Sequence, residues 1–315
     1  MANIKPRKSK VPSRSKHQHW VPQFYLRYFA TPATRDSRKP QIWIFSKDSS
    51  DGDEKLTSIR NVCGGRYLYS PKMRNGERAS DLDDKLNDLE SLLSKLWRPL
   101  ATDFVDLGNE SMRKAIALFV AVMHFRHPAT RQDIEEIHRQ SVAFYEAIPP
   151  RPDGTPSLES VEVKGKIYEL DTADWYSYKN WTQDDHDRAF AELVGNDVRD
   201  LAEHLLGKRW CVVFSETDTF ITTDKPVVVQ HPTRERFGFG TAGMIVMFPL
   251  SPTRLLFMDD LHHEPANQYY PLLESNTGAF NGTLWHAATR FLLTGRPLDD
   301  VLTEICELAD RCNNA

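Results

Sequence analysis

Cysteine is scarce in this 315-residue chain. Cys63, Cys211, Cys306 and Cys312 are scattered, and no two form a C-x-x-C pair. That spacing excludes a zinc-spaced cysteine set and leaves incidental thiols of a reducing compartment, which reads as cytoplasmic. Long apolar runs are missing too. No stretch approaches the length of a membrane span and the N-terminus lacks a secretory apolar core, so no membrane partner is expected. The catalytic signatures that announce themselves in sequence are also absent: no P-loop, no G-x-S-x-G and no H-E-x-x-H. Chemistry must therefore come from dispersed polar residues in apolar surroundings.

What is present is a globular composition with an uneven charge. Hydrophobic residues make up 40% of the chain, enough for a core without disulfides. The net charge of −4 divides sharply. Residues 1–20 hold Lys5, Arg7, Lys8, Lys10, Arg14 and Lys16 and no acid, so the remainder has 34 basic against 44 acidic residues. Residues 1–16 are expected to be a disordered basic arm, read either as a solvated tail or as a non-specific contact to phosphate backbones. Residues 17–315 are expected to form a single domain with a flexible linker near 149–158, where Pro149, Pro150, Pro152, Gly154 and Pro156 crowd together.

Hydrophobic spacing gives the architecture. Leu82, Leu86, Leu89, Leu93, Leu96 and Leu100 recur at intervals of four and three, an amphipathic helix over 81–105 with acids in its first turns. A helix over 111–125 is apolar nearly all round and hence central, and a third covers 129–147. A further helix spans 183–206. Short β-rich segments at 210–214, 219–222, 227–230, 244–248 and 255–258 read as a mostly antiparallel meander, joined by a strand at 41–45. Residues 272–294 and 298–312 return to helical spacing. The fold class is α+β, a helical bulk packed on a mostly antiparallel sheet.

Five residues stand out as site candidates. His19 lies in the aromatic run His19-Trp20-Val21-Pro22-Gln23-Phe24-Tyr25-Leu26-Arg27-Tyr28-Phe29; it reads as a general acid or base, or as a ring that fixes chain entry into the core. His17 and His19 would share a strand face, but no nearby carboxylate completes a metal site. Arg126 ends the apolar helix, so its charge needs a protein carboxylate or a substrate anion. Arg131 and His138 fit an R-x6-H spacing, a weak pattern that any helix face can produce. Asp224, in Phe220-Ile221-Thr222-Thr223-Asp224-Lys225-Pro226, reads as a base, a ligand or an Asx-turn. Asn281 inside an apolar helix implies a buried amide with a specific partner.

These pieces occur in order in one bacterial family. The opening run resembles its H-x-V-P-x-x-Y-L-x-x-F motif. Ile42–Phe45 and Arg66–Tyr69 resemble the strand and aromatic segment that follow, and Leu82–Leu100 with Glu90 its acidic helix. Arg126-His127-Pro128 is similar to its R-T-P element with His in the Thr place. Residues 220–226 resemble F-I-T-S-D-x-P, and Phe248–Pro252 matches F-P-L-S-P. The family is the one called domain of unknown function 4238, and the resemblance spans about residues 17–295. It implies no established activity.

Two functions are expected from these residues. The first is a hydrolase acting on a phosphate-bearing substrate, nucleic acid or nucleotide, suited to an effector role in phage defence. His19 and Asp224 would be catalytic, with Arg126, Arg131 and Asn281 on the substrate and a divalent metal allowed at Asp224. The second is a non-catalytic module that binds a protein partner, its polar residues forming a buried network. Convergence of His19, Arg126, Asp224 and Asn281 on one open cleft favours the first; dispersal or sealing favours the second.

Overall fold

The computed structural model describes residues 16–48, 54–158, 160–163, 166–169, 172–235 and 237–313. All but the last residue of the basic arm lies outside them. The chain begins with β1 (His17–His19) and a one-turn helix α1 (Gln23–Leu26), then β2 (Gln41–Ser46), β3 (Lys55–Ser58) and β4 (Gly64–Arg66). Three helices follow, α2 (Asp81–Thr102), α3 (Glu110–Phe125) and α4 (Pro128–Glu146). After the hairpin β5 (Ser160–Val163) and β6 (Lys166–Glu169) come α5 (Trp175–Lys179), α6 (Gln183–Glu192) and α7 (Val198–Leu206). The last part holds β7 (Arg209–Phe214), β8 (Thr222–Thr223), β9 (Val228–Gln230), β10 (Ile245–Ser251), β11 (Arg254–Asp259), β12 (Gln268–Pro271), α8 (Thr277–Ala287), β13 (Phe291–Thr294) and α9 (Leu298–Asn313).

The α+β class holds. Four of the five expected meander segments, with β12 added, form a five-stranded sheet in the order β12-β7-β11-β10-β9, antiparallel except for β12 beside β7; the segment expected at 219–222 instead gives β8, in the second sheet. A second antiparallel sheet, β3-β2-β13-β8, contains the early strand at 41–46. Helix α2 reaches the first sheet through Trp97, whose indole donates to the Leu250 carbonyl at 2.9 Å, and through the Ser251 hydroxyl, which donates to the Ala101 carbonyl at 2.7 Å. Leu86, Leu93, Trp97 and Leu100 form its buried stripe, while Leu92 and Leu96 face outward. Helix α3 is buried along most of its length and packs on α7. The side chain of Asn109 caps it, accepting from the Met112 N–H at 3.0 Å.

One expected element is wrong. Residues 272–294 are helical only from Thr277 to Ala287, and Phe291–Thr294 is a central strand, paired on one side with β2 and on the other with β8. A run of Phe-Leu-Leu-Thr buried on both faces has no alternation, so its spacing does not distinguish strand from helix. The helix expected over 183–206 is observed as α6 and α7 joined by a π turn at Leu193–Asp197. In the proline-rich stretch, Pro150 and Pro156 bridge antiparallel around a turn in which Gly154 has φ +81°.

The opening motif and the F-P-L-S-P motif meet in the core. Tyr25 stacks on Phe248 with centroids 5.4 Å apart. Its hydroxyl donates to the Pro249 carbonyl at 2.8 Å and so accepts from the Thr222 hydroxyl, also at 2.8 Å. Trp97 and Phe119 close the cluster. This packing holds β1 and α1 against α2 and thereby shapes the site.

Candidate functional site

A cleft of about 460 Å³ is bordered by β1 on one side and α2 on the other. His17, His19, Gln23, Glu90 and Arg126 line it, with Asp83 and Asp84 at the acidic end. Its floor is fixed by Gln18, whose buried amide donates to the Ser70 hydroxyl at 2.9 Å and accepts from the Tyr69 N–H at 2.8 Å. Neighbouring β4 supplies room: a Cβ on Gly64 would collide with the His17 ring.

Arg126 follows the last residue of α3 and is 3% exposed. Its Nη1 donates to Glu90 Oε1 at 2.8 Å, its Nη2 to the His19 carbonyl, and its Nε to the Tyr69 hydroxyl at 3.4 Å. That hydroxyl donates in turn to the Arg126 carbonyl at 2.8 Å. Burial pulls the guanidinium pKa down, but Tyr69 and Glu90 outweigh it and the group is held charged. Burial pushes the Tyr69 phenol up to about 12. Of the two partners left open by the sequence, the protein carboxylate is the one observed. Glu90 is 25% exposed and presents itself to the cleft.

His19 is the group with chemical freedom. Its Nε2 lies 3.1 Å from the Arg60 carbonyl, which can only accept, so Nε2 carries the proton. Nδ1 then holds the lone pair and accepts from the Gln23 amide across a long 3.5 Å. Desolvation lowers the His19 pKa, and His17 and Arg126 lower it further against the Arg60 bond. The ring is therefore a neutral base at physiological pH.

Asp224 and Asn281 lie elsewhere. Asp224 is 2% exposed and its two carboxylate oxygens accept from the Thr289 and Arg290 N–H groups at 3.1 and 2.9 Å. It fastens the turn between α8 and β13. Its link to the cleft runs through backbone, since the Trp20 indole donates to the Asp224 carbonyl at 3.0 Å. Asn281 is fully buried and bridges the Ile221 N–H and the Thr219 carbonyl, each at 3.1 Å. Arg131 joins α4 to α6 through Asp187 at 3.0 Å and pairs within α4 with Glu135 at 3.4 Å. His138, seven residues on, is occupied by the Tyr178 carbonyl at 2.7 Å and by His186 at 3.1 Å. Of the four residues expected to converge, only His19 and Arg126 share the cleft.

The His127 substitution in the Arg126 element has a local reason. Its Nδ1 accepts from the Ala129 N–H at 3.0 Å and caps α4, the bond a threonine hydroxyl would make from the same place. Its Nε2 is buried without a hydrogen-bond partner, 3.9 Å from Asp224.

Glu90 is the site residue that reading by type overlooks. It falls four residues after Leu86 and three before Leu93, on the buried stripe of α2, and a carboxylate in that place needs a cation. Among the described residues no cluster of three or more His, Cys, Asp or Glu side chains is gathered to hold a metal ion. Nor is any helix among them long and apolar enough to cross a membrane.

No curated protein and no solved structure matches the chain. The model of one family, described as protein of unknown function (DUF4238), matches residues 17–296. With the motifs packed together as described, the chain belongs to that family.

Proposed function

We propose that the protein is a hydrolase of a phosphate-bearing substrate and that His19 is its general base. The observation that carries this reading is the state of the His19 ring: neutral, fixed at Nε2, and held at Nδ1 only by a long 3.5 Å bond from the Gln23 amide, beside an open cleft. In the proposed step Nδ1 takes a proton from water as the water oxygen bonds to phosphorus, and the bond to the leaving oxygen breaks. The leaving oxygen is protonated from solvent. Arg126 holds the His19 backbone and Glu90 in register. Asp224 and Asn281 support the scaffold behind it.

Wild-type protein and His19→Ala are compared on phosphomonoesters, phosphodiesters and nucleotides. Loss of about 100-fold or more in hydrolysis, with little change in melting temperature, is expected. Absence of turnover in the wild type across that panel, or equal turnover in His19→Ala, would overturn the reading. Plating of phage on cells carrying either protein tests the effector role.

A second reading, a non-catalytic module for a protein partner, is favoured by one observation. Asp224, Asn281 and Arg126 are sealed and engaged by protein groups, as a fold-specifying network requires. Under that reading, phenotype and folding are lost in step in every variant.

A further inference from the structure

Beyond His19, on the far side of Gln23 and Phe24, lies a second cavity of about 250 Å³. Gln23 and Phe24 line both cavities. The second is rimmed by Arg27, Arg38 and Arg60, and among the described residues no carboxylate lines it. Among the described residues none of these three arginines is ion-paired, whereas Arg35 of the same loop is paired with Asp218. Three uncompensated guanidinium groups around one hollow raise its potential and leave donors in the forked geometry that phosphate oxygens fit.

The pocket is built rather than incidental. Arg27 Nη1 is held by the Arg35 and Ser37 carbonyls at 2.9 and 3.0 Å, which fixes the loop that also presents Arg38. The backbone of Arg60 receives the His19 Nε2 proton at 3.1 Å, so the third arginine and the proposed base are tied together. The cleft that His19 lines holds Asp83, Asp84 and Glu90, of which Glu90 is paired with Arg126. The arginine-rimmed cavity is therefore the more favourable of the two for a phosphate.

We propose that Arg27, Arg38 and Arg60 form a phosphate-binding site, and that it anchors a non-reacting phosphate of the substrate across Gln23 and Phe24 from His19. The catalytic consequence rests on the hydrolase reading; the binding does not. The phosphate belongs either to a free nucleotide or to a nucleic-acid strand, which share this chemistry.

The test uses full-length protein at low salt, with calorimetric titration of inorganic pyrophosphate, AMP and pentathymidylate. The proteins are wild type, the double variant Arg38→Gln/Arg60→Gln and His19→Ala. Both arginines are exposed, so the double variant should keep its melting temperature. Pyrophosphate binding should weaken on the order of tenfold or more in the double variant and stay within about twofold in His19→Ala. Tighter binding of AMP points to a nucleotide, and tighter binding of pentathymidylate to a strand. Equal binding by wild type and double variant, as the basic arm alone would give, overturns the proposal; so does no binding of any probe. The two readings fail separately. Lost binding in the double variant with unchanged hydrolysis in His19→Ala keeps the pocket and removes the base. Hydrolysis that depends on His19, with KM unchanged in the double variant, does the reverse.

Discussion

His124 should make the protein lose stability in mild acid, by an amount the structure allows to be worked out. Its ring stands edge-on between Phe125 and Phe239, with centroids 5.1 Å away in each case, and its Nδ1 is buried with no partner. Burial, and then the charges of Lys225 and His127, lower its pKa from 6.5 to about 4. The unfolded chain takes up a proton near pH 6.5 while the folded chain refuses it until about pH 4. The unfolded state therefore binds more protons across that window, and stability falls as pH falls through it. At about 1.4 kcal/mol per pH unit, the loss between pH 7.5 and 4.5 is about 2.5 kcal/mol. Carboxylates titrate in the same range, so the measurement is a difference. His124→Phe keeps a ring between the two aromatics and removes the titration. Urea unfolding of both proteins at pH 7.5 and 4.5 should show the variant losing about 2.5 kcal/mol less than wild type. If the two lose stability in parallel, or if the His124 ring resonances titrate near pH 6.5 in the folded protein, the reasoning fails.

Three substitutions test the polar framework by urea unfolding. Arg126→Met strands Glu90 and should cost about 3–5 kcal/mol, whereas Glu90→Gln keeps an acceptor for the guanidinium and should cost clearly less. Asn281→Ala should cost about 1–3 kcal/mol, most of it from the Ile221 N–H, because the Thr219 carbonyl keeps a bond from Arg296 at 2.8 Å. His127→Thr should change stability by less than about 1 kcal/mol because the hydroxyl can cap α4, while His127→Leu, which cannot, should cost about 1–2 kcal/mol.

Most of the fold is legible where a periodic apolar pattern is long. The stripe of α2, the apolar α3 and the strands at 41–46, 209–214 and 254–259 all follow from spacing. Pieces that lack a pattern are missed for physical reasons. β1 and β4 have three residues each, and two of those in β4 are glycines with no side chain to signal a face. β12 is a four-residue edge strand ending in proline. β13 is doubly buried and reads as helix. The site is legible in part: His19 and Arg126 mark the cleft because a titratable ring and a cation in apolar runs need partners. Arg27, Arg38 and Arg60 are far apart in sequence and ordinary one by one, so only the fold shows that they surround one hollow.

Residue type alone ranks Asp224 and His19 together, and the structure separates them by what each atom has left to offer. Both Asp224 oxygens are filled by backbone N–H groups that would otherwise be orphaned in the core, so using that carboxylate for chemistry would undo the turn before β13. Asn281 has the same character. Arg126 spends donors on a carboxylate, a carbonyl and a phenol, and opening its bond to Glu90 would leave a buried charge exposed to the full cost of desolvation. At His19 the balance differs. One nitrogen is spent on position, and the other is held only by the Gln23 amide at 3.5 Å, beside an open cleft. A ring that is fixed, neutral and only weakly held at its second nitrogen can accept a proton from a ligand in the cleft. That combination of properties, rather than a match to any motif, is what supports His19 as the proposed base.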